Sequence, residues 1–157
     1  MKIVTHPNPI LSKPTHEINV GTFGLKKLQQ LSRKMIKTMY KAKGVGLAAP
    51  QVGMSARICV IGKGDSTRYV GQTTGLTQDI VLVNPQVIAR SSETDVMEEG
   101  CLSLPKVTVN VTRAIWIKVK ARDAYDQLFE FEAKNFFARV IQHEVDHLDG
   151  ILIINRG

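Results

Sequence analysis

The run His143-Glu144-Val145-Asp146-His147 constrains this chain more than any other feature. Two histidines at i and i+4 lie on one helix face, with Cβ atoms roughly 5–6 Å apart, so they act as a pair only if the segment is helical. The stretch Ala133–His147 contains little turn chemistry and places Phe136 and Val140 on the same face as both histidines. It reads as that helix, ended by Asp149-Gly150. At this spacing both imidazoles can bind one divalent metal, and Glu144 can reach a water on it as general base. Five residues alone also allow a plain structural histidine pair.

A catalytic metal site wants three protein ligands and an open position. The ten residues after His147 contain neither His nor Glu. His6 and His16 lie in a proline-rich arm and are weaker candidates. Cys101, 42 positions upstream of His143, is the better one, set in Glu99-Gly100-Cys101-Leu102-Ser103-Leu104-Pro105 as a constrained turn. A thiolate with two imidazoles suits Zn or Fe(II), and spacing does not choose between them. Cys59 lies in the β-rich run Arg57–Ile61 and reads as an inert buried residue.

The remaining sequence frames this site. A length of 157 residues fits one domain spanning 1–157, and 43% apolar with 22% charged residues is ordinary for a globule. No apolar run approaches the roughly 20 residues of a membrane span. The amino terminus lacks the apolar region of a secretory signal, so a cytoplasmic setting is expected. Strands are expected near 56–61, 80–84, 86–89, 115–119, 128–132 and 151–154, with a long glycine-bearing excursion over 62–79. Strands first and a late helix give an α+β class: mixed or antiparallel sheets packed around the histidine-bearing helix, with a second helix near the amino terminus. That amino-terminal helix, 26–43, carries Lys26, Lys27, Arg33, Lys34, Lys37, Lys41 and Lys43 with no acid. Outside it 14 basic residues face 14 acidic ones, so the net charge of +7 belongs to this helix. Gly44 is expected to stop it. Its outer face is either solvated or a docking surface for an RNA-rich or anionic partner.

Three segments in order carry a resemblance: Gly44-Val45-Gly46-Leu47-Ala48-Ala49-Pro50-Gln51, Glu99-Gly100-Cys101-Leu102-Ser103, and Gln142-His143-Glu144-Val145-Asp146-His147-Leu148. Together with the opening His6-Pro7-Asn8-Pro9-Ile10-Leu11, they resemble the signatures of the peptide deformylases over nearly the whole chain. The resemblance implies metal-dependent hydrolysis of the N-formyl group from the formyl-methionine of nascent polypeptides, with release of formate. It implies Cys101, His143 and His147 as ligands of one metal, usually Fe(II) in the cell and often replaceable by Ni, Co or Zn. Glu144 would be the general base for the attacking water. The Gln51 amide and the Leu102 N–H would stabilise the oxyanion. Gly46 would pair with the substrate backbone, while Val45, Met97, Phe136 and Val140 would line a methionine pocket. Arg139, one turn before His143, would either run outward along its stem or reshape that pocket.

The chain stops soon after Ile154, where typical bacterial members continue into a helix that can dock on the ribosome. A short form without that helix is therefore expected. Formylated peptides are the expected partners of a monomer, with weak ribosome contact through helix 26–43 and no membrane or specific DNA. Another metal-dependent peptidase using the same histidines and cysteine is the alternative, opposed by the glycine–glutamine and cysteine segments.

Overall fold

Alternation along Ile58–Ile61 decides the architecture. All four side chains of this strand are buried. Ile58 and Val60 pack in one apolar cluster with Leu28, Leu31, Met35 and Met39, while Cys59 and Ile61 pack in another with Phe136, Val140, Ile141 and Val145. Successive strand residues face opposite sides. Two helices therefore cover the two faces of one sheet. The computed structural model describes residues 1–157. Its elements are α1 (Val20–Phe23), α2 (Leu25–Lys41), β1 (Gly46–Ala48), β2 (Ile58–Ile61), β3 (Ile80–Arg90), β4 (Thr94–Cys101), β5 (Leu104–Ala114), β6 (Trp116–Arg122), β7 (Leu128–Lys134) and α3 (Asn135–Leu148).

The main sheet runs β1-β2-β3-β6-β7, every pairing antiparallel, and β4 and β5 form a separate two-stranded sheet. The α+β class is as expected. Amphipathic α2 buries Leu28, Leu31, Met35 and Met39 at steps of three and four. Helix α3 is buried on almost all sides, because the main sheet covers one flank and the β4–β5 hairpin engages another through charged side chains. No helix is long and apolar enough to cross a membrane.

Several local expectations are corrected. The two strands expected at 80–84 and 86–89 are one, β3, with a register irregularity between Val83 and Gln86. Asn84 adopts φ 53° there, and its side chain holds both the N–H and the C=O of Ile18. Pro85 cannot donate to a ladder, so the strand bends rather than ends. The strand expected at Ile151–Ile154 is instead a 3-10 turn over Ile153–Asn155, with Leu152 and Ile153 buried against Leu11 and Leu104. Four apolar residues without a partner strand bury themselves as readily in a turn. Helix α2 stops two residues earlier than expected, and Lys43, not Gly44, takes the left-handed φ of 59°. Strands β1, β4 and β5 were not expected at all.

Candidate metal centre and substrate cleft

Helix α3 presents His143 and His147 one turn apart, with ring centroids 5.0 Å from each other. The irregular end of the β4–β5 hairpin brings Cys101 against them, its Sγ 3.3 Å from His147 Nε2. One ligand atom from each of Cys101, His143 and His147 lies within 4.8 Å of the others, so the three could hold a metal ion. The donor set fits such an ion. One soft sulfur and two imidazole nitrogens are the ligands that Fe(II) and Zn accept. Two polar atoms in this interior, Glu144 Oε2 and His147 Nδ1, have no hydrogen-bond partner in the protein.

The surrounding charges favour a cation. Burial alone would raise the Glu99 carboxyl, but hydrogen bonds from His143 and Arg113 win and hold it well below the usual carboxylate range. Its Oε1 lies 2.9 Å from His143 Nδ1, which fixes that ring and leaves Nε2 for the centre. Burial pushes His147 well below the usual imidazole range, toward the neutral form that binds metals. Burial also pushes Glu144 up to about 7, against the opposing pull of His143.

Glu144 packs across β1. A Cβ on Gly46 would stand 2.8 Å from Glu144 Oε1 and 2.9 Å from its Cγ, so only glycine lets the carboxylate approach this strand. Gln51 is held from both ends. Its Oε1 accepts from the Ala48 N–H at 2.9 Å, and its Nε2 reaches Cys101 Sγ at 3.6 Å and Ser103 Oγ at 3.3 Å. The Leu102 N–H at the hairpin turn has no partner within the protein. Val45, Gly46, Gln51 and Leu102 line one cleft with Met97, Phe136 and Val140, and Cys101, His143 and Glu144 open into it. His147 is buried beneath them. All eleven expected site residues thus meet in one place.

Arg139 does not run outward. It is buried and lines the cleft, with Nη1 donating to Glu99 Oε2 at 2.6 Å and to Val111 O, and Nη2 to the side chain and carbonyl of Asp95. Sequence reasoning missed its partners. Glu99, Arg113 and Asp146 form a buried chain of ion pairs that Arg139 and Arg156 extend. Glu99 stood inside a recognised segment, yet nothing local pointed to its role. Cys59 and Cys101 are both free, and Cys59 is buried in β2.

This arrangement coincides with a known family. The sequence matches the polypeptide deformylase profile over residues 1–157. The chain belongs to that family. Peptide deformylase 1 of Bacillus subtilis is 41% identical over 155 residues, covering 99% of this chain and 88% of the relative. The peptide deformylase of Dictyoglomus thermophilum is 47% identical over 131 residues, covering 83% and 77%. Among solved structures, the Met-Ala-Ser-bound class I type b peptide deformylase of Acinetobacter baumannii superposes with a TM-score of 0.92 at 35% identity, covering 100% of this chain and 98% of that one. The Thermotoga maritima peptide deformylase gives 0.86 at 37%, covering 99% and 95%. As a member of the family the chain is an enzyme, a metal-dependent hydrolase that removes the N-formyl group of nascent peptides.

Proposed function

We propose that the cleft deformylates formyl-methionyl peptides through Cys101, His143, His147, Glu144, Gln51 and Leu102. The observation that carries this reading is the convergence of three metal-ligating atoms beside a buried, unpartnered carboxylate oxygen and an anchored amide. Cys101, His143 and His147 would hold one divalent ion, Fe(II) in the cell, with Zn, Ni or Co able to replace it in a purified sample. Such an ion supplies Lewis acidity, lowering the pKa of water toward ~7 and polarising the formyl oxygen. Glu144 takes the proton of the attacking water and returns it to the departing amine, a task suited to a carboxyl pushed up to about 7. Gln51 Nε2 and the Leu102 N–H donate to the oxygen on which charge develops, each worth roughly 2.7–4 kcal/mol of barrier by analogy with other oxyanion donors. Strand β1 is an edge strand with one free side, so an extended peptide can add to it at Gly46. Val45, Met97, Phe136 and Val140 then take the methionine side chain.

Formate release from formyl-Met-Ala-Ser under anaerobic Fe(II), set against an acetyl-Met-Ala-Ser control and a chelated sample, tests this. Full activity in Glu144→Gln would remove the proposed base. Cleavage of internal peptide bonds without formate would make the chain a peptidase of another kind.

Helix α2 is proposed as a weak ribosome contact in a cytoplasmic enzyme. Its six cations, with Lys43 just beyond its end, are all exposed and none forms an ion pair, so they stand ready for phosphates. Changing Lys26, Lys27, Lys34 and Lys37 to Gln should abolish low-salt co-sedimentation with ribosomes, and unchanged binding would leave the charge as solvation.

A further inference from the structure

One wall of the cleft carries two residues of the 62–79 excursion, Arg68 and Tyr69, that the proposed chemistry does not use. The Tyr69 hydroxyl accepts from the Gly100 N–H at 2.9 Å and donates to the Gly100 carbonyl at 3.0 Å. Its ring meets Phe136 edge-on, with centroids 5.5 Å apart. One side chain thus pins the excursion over the end of β4, beside Cys101. The next residue back, Arg68, lays its guanidinium over the open face of Gly100. A Cβ there would stand 2.7 Å from Arg68 Nη2 and 3.5 Å from its Cζ.

Three arginines stand around this cleft and its hairpin, and only one is free. Arg139 is neutralised by Asp95 and Glu99, and Arg113 by Glu99 and Asp146. Arg68 lines the cleft, is exposed, and forms neither an ion pair nor a side-chain hydrogen bond in the protein. Tyr69 takes up the Gly100 N–H and one lone pair of its carbonyl, so the unpartnered side-chain donors on this wall are those of Arg68. What it offers is a guanidinium fork, whose geometry matches a carboxylate.

We infer that Arg68, positioned by Tyr69, is a specificity residue that binds a carboxylate carried by the peptide downstream of its formyl-methionine. The carboxylate is the C-terminus of a short formyl-methionyl peptide. Arg68 Nη2 lies within about 8 Å of the Cys101 Cα, the limit set by 3.8 Å between neighbouring Cα atoms and the reach beyond Gly100. An extended peptide rises about 3.3 Å per residue, so the contact falls within two or three residues of the reacting end.

The inference rests on the deformylase reading, and two measurements keep the failures apart. The first is steady-state formate release from formyl-Met-Ala-Ser as the free acid and as the C-terminal amide. The acid should be favoured about tenfold in KM with kcat equal, the preference shrinking at high salt. Arg68→Gln should erase the difference, Arg68→Lys should restore part of it, and Tyr69→Phe should reduce it. A wild-type enzyme indifferent to acid and amide, or a preference that survives Arg68→Gln, overturns the role of Arg68. A preference untouched by Tyr69→Phe overturns the positioning role. The second measurement is calorimetric binding of the product Met-Ala-Ser, acid against amide, which reads the same preference without turnover. If neither formyl peptide is hydrolysed the deformylase reading fails, and the product pair still decides for or against Arg68.

Discussion

Replacing Glu99 by Gln should separate metal affinity from the rest of the fold. Glu99 is buried and accepts four hydrogen bonds: Arg113 Nη2 at 2.9 Å and His143 Nδ1 at 2.9 Å on Oε1, and Arg113 Nε at 3.0 Å and Arg139 Nη1 at 2.6 Å on Oε2. A glutamine has one oxygen. Either way round, its NH2 faces two donors that it cannot accept from. Removing one member of a buried ion network costs about 3–5 kcal/mol when the other charge is left alone. Here Arg113 keeps Asp146 at 2.6 Å and Arg139 keeps Asp95 at 2.6 Å, so the lower end applies. At roughly 2–4 °C per kcal/mol for a chain of this size, a loss of about 3 kcal/mol lowers Tm by about 6–12 °C. His143 also loses the acceptor that orients it, and partners of this kind are worth about 10–100-fold in metal affinity. Thermal unfolding of the chelated protein reads the first effect. Metal competition titration at a temperature where the variant is fully folded reads the second. A Tm within about 2 °C of wild type together with unchanged metal affinity would refute the reasoning, leaving the His143 ring held by packing alone.

Gln51→Leu should cut kcat by about 10²–10³ with little change in KM, because the amide acts on charge that develops during the reaction. Gly46→Ala should lower kcat at least tenfold while circular dichroism stays native, since a Cβ 2.8 Å from Glu144 Oε1 forces the carboxylate aside. A fully active Gly46→Ala enzyme would mean that Glu144 has room to spare. Chelation should abolish formate release and lower Tm, and anaerobic Fe(II) should restore both, as expected when a ligand binds only the folded state.

The sequence disclosed the site better than the scaffold. Cys101, His143 and His147 were legible because metal chemistry restricts both residue type and spacing, and the spacing of His143 and His147 is itself a statement about a helix. Helix α2 was legible because Leu28, Leu31, Met35 and Met39 recur at the helical period against an unbroken basic face. The β4–β5 hairpin was less visible, although Val107, Val109 and Val111 alternate with Thr108, Asn110 and Thr112 along β5. That pattern was masked by a turn reading of Gly100 and Pro105, which are in fact strand residues on either side of the Leu102-Ser103 turn.

The buried ion network was illegible for a different reason. Asp95, Glu99, Arg113, Arg139 and Asp146 lie on three elements, and each looks locally like an ordinary surface charge. Buried charges persist only when paired. Outside residues 26–43 the acidic and basic counts are equal, 14 against 14, so the composition permitted full pairing without revealing which charges were inside. The network joins the hairpin that carries Cys101 to the helix that carries both histidines. It therefore sets the distance between ligands that belong to separate elements, Cys101 on β4 and both histidines on α3. Those ligands are readable from their chemistry, but the clamp that brings them together appears only once the chain is folded.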